Sequence, residues 1–146
     1  MGQWIPWLPA YEINVSVIDE QHRELFRMFN DLLDAMWDGK GKAVIQEKLR
    51  FMANYAVSHF STEEKFMVNY KFPDYPAHKK LHDDFTSGVV DFLKVYEQDG
   101  ATTDMLVSVV QDLGTWTRDH IRDMDQQIGE YFAAKRREDN TWLRDR

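Results

Sequence analysis

The chain has 146 residues, of which 43% are hydrophobic and 14% aromatic, a size and composition that suit one domain with a packed core rather than a disordered chain. A formal net charge of −7 argues against nucleic acid or an anionic membrane surface as partner. The absence of cysteine excludes disulfides, thiolate metal sites and a cysteine nucleophile, so any metal site must use nitrogen and oxygen ligands; it also permits a cytoplasmic home.

Residues 1–18 carry Trp4, Trp7 and Tyr11 among Pro6 and Pro9. This predicts an extended arm whose aromatics cover core edges. No apolar run approaches a membrane span, and the prolines interrupt any signal-peptide pattern. Met1-Gly2 lacks the Ser or Thr at position 6 of a myristoylation signal.

The first helix is expected from Asp19, a good N-cap type, to about Asp38. Its apolar stripe is Leu25, Phe29, Leu32 or Leu33, and Met36, and His22 extends that stripe inward. Gly39-Lys40-Gly41 reads as a turn. The second helix is expected from Ala43 to Tyr70, with an inward face of Ile45, Leu49, Met52, Ala56, His59, Glu63, Phe66 and Tyr70. Its alternating steps of four and three form a bundle seam. Two polar residues sit in the middle of that seam, and a buried carboxylate is costly unless it is paired or binds a metal.

Phe72-Pro73-Asp74-Tyr75-Pro76 breaks the chain. A third helix to about Tyr96 presents His78, His82, Phe85, Val89, Phe92 and Tyr96 on one face. After the Asp99-Gly100 turn, a fourth helix starts near Thr103 and presents Val109, Leu113, Trp116 and His120. Short connections between long helices give antiparallel neighbours. The expected fold is all-α: an up-down-up-down four-helix bundle over 19–125, with an N-terminal arm and a short C-terminal helix and tail over 126–146. In that last segment, residues 126–137 are expected to be helical, with Ile128, Tyr131 and Phe132 docking. The Lys135-Arg136-Arg137 run reads as a solvated helix end.

His59 and Glu63 lie four residues apart, as do His78 and His82, so each pair shares a helix face. Taken singly, a histidine on an apolar face reads as a hydrogen-bonded core residue. Here all five histidines fall on the inward faces of four helices that a bundle brings together, which points to a metal centre. Asp125 lies five residues after His120, about 140° further round an ideal helix. The two can share a centre only if the helix loosens or ends between them.

These pieces resemble the hemerythrin family, and specifically its bacterial single-domain members. The resemblance rests on Asp19-Glu20-Gln21-His22, His59-Phe60-Ser61-Thr62-Glu63-Glu64, His78-Lys79-Lys80-Leu81-His82 and His120-Ile121-Arg122-Asp123-Met124-Asp125, with Trp4-Ile5-Pro6-Trp7 resembling the family's arm. It covers residues 4 to 132. It implies two non-haem irons (Fe2+/Fe3+) bridged by Glu63, Asp125 and a solvent-derived oxo or hydroxo group. His78, His82 and His120 would hold one iron, and His22 and His59 the other. The first iron would then be six-coordinate, and the second would keep one open position for O2. Nitric oxide and small anions are further ligands by the same resemblance.

Leu25, Phe60, Trp116 and Ile121 stand one to four residues from ligands and fit an apolar pocket wall, a role compatible with core packing. One position departs from the family: leucine is usual three residues before the fourth-helix histidine, and Thr117 stands there. Four functional classes follow, the last a metal-free structural bundle. The first is a non-enzymatic carrier, store or deliverer of O2, expected as a monomer. The second is an O2, redox or nitric oxide sensor, and the third a di-iron oxidase or peroxidase. Five histidines to two carboxylates favour binding over oxidation, since oxygen-activating di-iron bundles carry more carboxylates.

Overall fold

The structure is a computed structural model that describes residues 4–99 and 102–144. The side chains of residues 95, 99, 103, 105, 106, 109, 110 and 138–144 fall outside the description. The expectations for Met1-Gly2 and for the Val109 side chain therefore lie outside the described residues.

Five α-helices follow in order: α1 (Ser16–Trp37), α2 (Lys42–Asn69), α3 (Tyr75–Asp99), α4 (Thr103–His120) and α5 (Gln126–Arg144). A π-helical segment, Ile121–Asp125, joins α4 to α5. α1 packs against α2 and α4, and α2 against α3, as in the expected antiparallel bundle. α5 continues past residue 137 to Arg144. No described helix is long and apolar enough to cross a membrane.

Two helices end in the same way. Gly39 (φ 69°) follows α1, where the Lys40 N–H reaches Ala35 O at 3.0 Å and the Gly39 N–H reaches Met36 O at 3.1 Å. Lys71 (φ 56°) follows α2, where the Phe72 N–H reaches Met67 O at 2.8 Å and the Lys71 N–H reaches Val68 O at 3.2 Å. Both are Schellman endings, which satisfy the last carbonyls through one left-handed residue. The Tyr131 hydroxyl adds a bond to Tyr70 O at 2.7 Å. This ending corrects the expected seam of α2. Met67 is buried, Phe66 only partly, and Tyr70 is 44% exposed. Glu63 is followed inward by Met67, one turn on, and Phe72 returns to the same cluster.

The start of α1 needs a second correction. Asp19 is not its N-cap; the helix begins at Ser16 behind Val15. Asp19 is buried inside the first turns and reaches back, accepting the N–H of Ile13 at 2.8 Å and of Asn14 at 3.1 Å. It anchors the arm to the helix instead of capping the helix.

The arm lies over the bundle as expected. Ile5 exchanges two hydrogen bonds with the Asn30 side chain, at 2.8 and 2.9 Å. The Trp4 indole donates to Asp34 at 2.9 Å, and Trp7 meets Phe26 edge-on at 5.2 Å. Two glycines make room for it. Ile5 occupies the space where a side chain on Gly114 of α4 would begin, and the Ile13 backbone crosses Gly129 of α5 just as closely.

Gly129→Ala is therefore expected to lose about 1–3 kcal/mol of stability, the usual cost of overpacking, because the Ile13 carbonyl cannot step aside. Gly114→Ala should cost less, since only the flexible end of Ile5 must turn. Denaturant unfolding of both variants and the parent at equal metal content tests the ranking. A Gly129→Ala protein as stable as the parent would mean that the arm does not seat there.

Candidate metal centre

Each helix of the bundle brings polar atoms to one buried point. α1 supplies His22, α2 His59 and Glu63, α3 His78 and His82, α4 His120 at its last residue, and the π-helical segment Asp125 at its end. All seven are buried, and His22, Glu63 and Asp125 have no exposed surface at all. The π-helical segment provides the loosening that the five-residue spacing demands. Its i→i+5 closure lets residue i+5 stand over residue i, where an α-helix would turn it away.

The donors fall into two groups that share Asp125: His78, His82, His120 and Asp125, and His22, His59, Glu63 and Asp125. Within each group the potential ligand atoms lie within 4.8 Å of one another. Asp125 Oδ1 is 3.0 Å from His78 Nε2 and 3.2 Å from His120 Nε2, while Oδ2 is 3.1 Å from His22 Nε2. Glu63 Oε1 is 2.8 Å from His59 Nε2 and 3.7 Å from His82 Nε2. The carboxylates thus stand between the two histidine groups. The Nε2 atom of His120 is 3.2 Å from that of His82 and 3.1 Å from that of His78.

Two residues that sequence reasoning gave no role orient the rings. His59 Nδ1 donates to Gln21 Oε1 at 2.8 Å, and His82 Nδ1 donates to Glu64 Oε2 at 3.0 Å. A proton held on Nδ1 leaves the Nε2 lone pair free to face the centre. The available signal was that each is a polar neighbour of a ligand-type residue inside a quoted motif.

The centre fits a bound cation better than any arrangement of protein alone. Both oxygens of Glu63, both of Asp125 and both nitrogens of His22 are buried without a hydrogen-bond partner. Leaving six such atoms unsatisfied is costly. Nitrogen and oxygen donors of this kind suit iron and other divalent first-row metals. Burial lowers His59 to about 4, with the neighbouring His120 adding to it and Asp125 opposing. Burial, with His120 and His78, lowers His82 to about 2. Burial and the nearby Asp125 raise Glu63 well above the usual carboxylate range. Burial opposes ionisation of Asp125 too, but the nearby imidazoles of His120, His22 and His78 outweigh it and hold Asp125 well below that range.

Beside the centre lies a small cavity of about 10 Å3, roughly one water-sized sphere. Leu25, Phe60, Trp116, Thr117 and Ile121 all line it, and it reaches His59, His120 and Asp125. Phe60 stacks on His82 with ring centroids 4.0 Å apart, and Trp116 stacks on His120 at 4.6 Å. Thr117 is buried, and its hydroxyl donates to Leu113 O at 2.9 Å, so it turns its donor away from the cavity.

A profile of the hemerythrin HHE cation binding domain matches residues 14–132. A bacteriohemerythrin of Pseudomonas aeruginosa is 32% identical, over 82% of this chain and 75% of its own length. One of Stenotrophomonas maltophilia is 30% identical, over 88% and 81%. A crystal structure of a leucine-to-alanine mutant of hemerythrin superposes with a TM-score of 0.79 at 29% identity, covering 89% of this chain and 98% of that one.

The buried imidazoles make the metal-free protein acid-sensitive. His59 and His82 are held neutral in the fold but take protons in the unfolded chain below about 6.5. The unfolded state then binds more protons, so these two groups make stability rise with pH up to that point. Glu63 acts oppositely above about 4.5, where the fold keeps a proton that the unfolded chain loses. Two imidazoles against one carboxyl leave a net rise between pH 4.5 and 6.5, and Glu63→Gln should steepen it. Thermal melts of both metal-free proteins across that window check the sign; a flat or falling melting point in the parent would contradict it.

Proposed function

The chain belongs to the hemerythrin family, and from that membership we propose a non-haem di-iron protein that binds O2 reversibly at one open iron position, for carriage, storage or delivery. The observation that carries the proposal is the pair of buried donor groups sharing Asp125, whose carboxylate oxygens have no hydrogen-bond partner among the described residues. In this reading His78, His82 and His120 hold one iron and His22 and His59 the other. Glu63 and Asp125 would serve both irons. Such an iron pair, when bound, supplies two electrons to O2 and recovers them on release.

The residues of the chain account for the rest. The half with two imidazoles has the fewer donors in this reading and would keep the open position; the apolar cavity borders both halves, through His59 and His120. Leu25, Phe60, Trp116 and Ile121 keep water from that position. Proton access is what turns reversible binding into net oxidation of the metal, so a dry wall serves release of O2 intact. In the centre, imidazoles outnumber carboxylates five to two, a donor set that favours binding over oxidative turnover.

Purified protein is expected to hold two irons per chain, and Glu63→Ala to lose most of both, since metal binding and folding are coupled through it. Metal analysis returning one zinc per chain would reject the di-iron reading. The ferrous protein should gain visible charge-transfer bands in air and lose them on degassing. Bands that do not reverse would point to sensing or oxidase chemistry.

Thr117 sets how long the ferrous state survives air. Because its hydroxyl is already bonded to Leu113 O, its effect comes from missing bulk rather than from a polar group in the cavity. Thr117→Leu should slow passage to the ferric state by about fivefold, roughly 1 kcal/mol of barrier. Thr117→Val, which removes only the hydroxyl, should stay close to the parent. Spectral decay of the three proteins in air at one pH separates the cases. A Val variant slower than the Leu variant would make the hydroxyl the cause.

A further inference from the structure

The π-helical segment that delivers Asp125 is held from outside by the arm. Gln126 follows Asp125 directly, and its side-chain amide donates to Ala10 O and to Glu12 O, both at 3.1 Å. A glutamine amide has two N–H donors, and here the arm takes both. A single turn of 3-10 helix in the arm, Pro9–Tyr11, packs on the π-helical segment, and Tyr11 and Ile121 belong to one buried cluster. Three residues beyond Gln126, the Ile13 backbone crosses Gly129.

The same stretch of arm is tied on its other side to α1. Asp19 accepts the N–H of Ile13 and of Asn14, and it stands on α1 one turn before His22. Asn14 takes the left-handed conformation that asparagine tolerates (φ 65°), which turns the chain from the arm towards α1. Residues 10–14 therefore join two elements that carry donors of the centre, α1 through Asp19 and the π-helical segment through Gln126. The donors on those two elements meet, with His22 Nε2 3.1 Å from Asp125 Oδ2.

Helical register links these contacts. An i→i+5 turn holds one residue more than an α-helical turn, so closing it to α-helix would rotate the residues beyond it by about 100°. That rotation would turn Asp125 from the centre, carry the Gln126 amide away from Ala10 and Glu12, and bring a side chain against Ile13 where Gly129 now stands. The register that puts Asp125 into the centre is the register in which the arm docks. We propose that residues 10–14 are a staple that holds Asp125 in the centre, with Gln126 as its positioning residue, so that arm docking and metal retention support one another. This rests on the di-iron reading above. The π-helical segment is the element with two arrangements, and the arm and a bound cation favour the same one. Linkage then requires each to strengthen the other by an equal factor.

The test uses Gln126→Met, which keeps an unbranched side chain of similar length but donates nothing. Tyr131→Phe is the control: it too frees α5 from two carbonyls, Tyr70 O and Lys71 O, neither of them in the arm. In the metal-free proteins, hydrogen exchange of residues 10–14 and 121–126 should quicken together by about fivefold in Gln126→Met, the effect of roughly 1 kcal/mol. Residues 10–14 should keep the parent rate in Tyr131→Phe. Loaded with zinc or with ferrous iron and challenged with a chelator, Gln126→Met should release metal about fivefold faster than the parent, and Tyr131→Phe no faster. Metal should also slow exchange at residues 10–14 more in the parent than in Gln126→Met. Zinc separates the two readings, because the staple acts on Asp125 whichever cation Asp125 serves. A parent that kept zinc but not iron would sink the di-iron reading and leave the staple standing, and one that kept neither would sink both. Exchange that quickens in one segment alone, a parent-like release rate in Gln126→Met, or a Tyr131→Phe protein that releases metal just as fast would overturn the staple.

Discussion

Two carboxylates with no contact to water govern this structure. Glu63 and Asp125 lie at zero exposure among five imidazoles, and no lysine or arginine approaches them among the ion pairs of the described residues. A pair of buried carboxyl groups in a bundle core is costly, whether ionised or protonated, and apolar residues of similar volume would stabilise the fold more. Nothing in the packing of the bundle asks for them. They are tolerated if a cation occupies the space they face, and then folding and metal loading become one equilibrium. The acid sensitivity of the imidazoles has the same origin, because protons compete for the nitrogens that the cation needs.

Bringing Asp125 to that space required breaking the helical period. A continuous α-helix would have turned residue 125 away from His120, and the five-residue π segment corrects this in one turn. π-helical turns are rare and tend to occur at functional sites. Here the insertion lies between the two residues that must converge, so its purpose can be read from its position. It also sets the start of α5, whose Ile128 and Phe132 then pack against the arm cluster containing Ile13 and Val15.

Much of this was legible in the chain. The bundle follows from the three-four spacing of apolar residues, and six of the seven polar residues that the structure brings together were visible because each interrupts that spacing on an inward face, whereas Asp125 lies off that face in the sequence. The need for an irregularity after His120 followed from counting residues per turn. The failures have equally physical causes. Tyr70 was placed inside by extending a period past the point where Lys71 ends the helix, and a lysine in the left-handed region gives no warning of the kind that glycine gives at 39. Asp19 looked like a cap because its type suits one, but its carboxylate serves two amides of the arm that precede the helix. Gly114 and Gly129 read as ordinary helical glycines until the arm is seen crossing them. The roles of Gln21 and Glu64 depend on which way two imidazole rings are turned, which only the packed structure decides.

Those two ring partners also distinguish the halves of the centre. His59 donates its Nδ1 proton to a neutral amide, whereas His82 donates to a carboxylate that Lys79 approaches to 3.7 Å on its outer side. A charged acceptor draws on the imidazole proton more strongly than a neutral one and makes the opposite nitrogen the better donor. In the proposed ligand set, the half that already has three imidazoles therefore also has the more basic one. The half with two has the weaker anchor, while the cavity reaches both halves, through His59 and His120. Donor count and ring basicity differ between the halves in the same direction, which under the proposed ligand set would give retention of the metal to one half and exchange of a small ligand to the other.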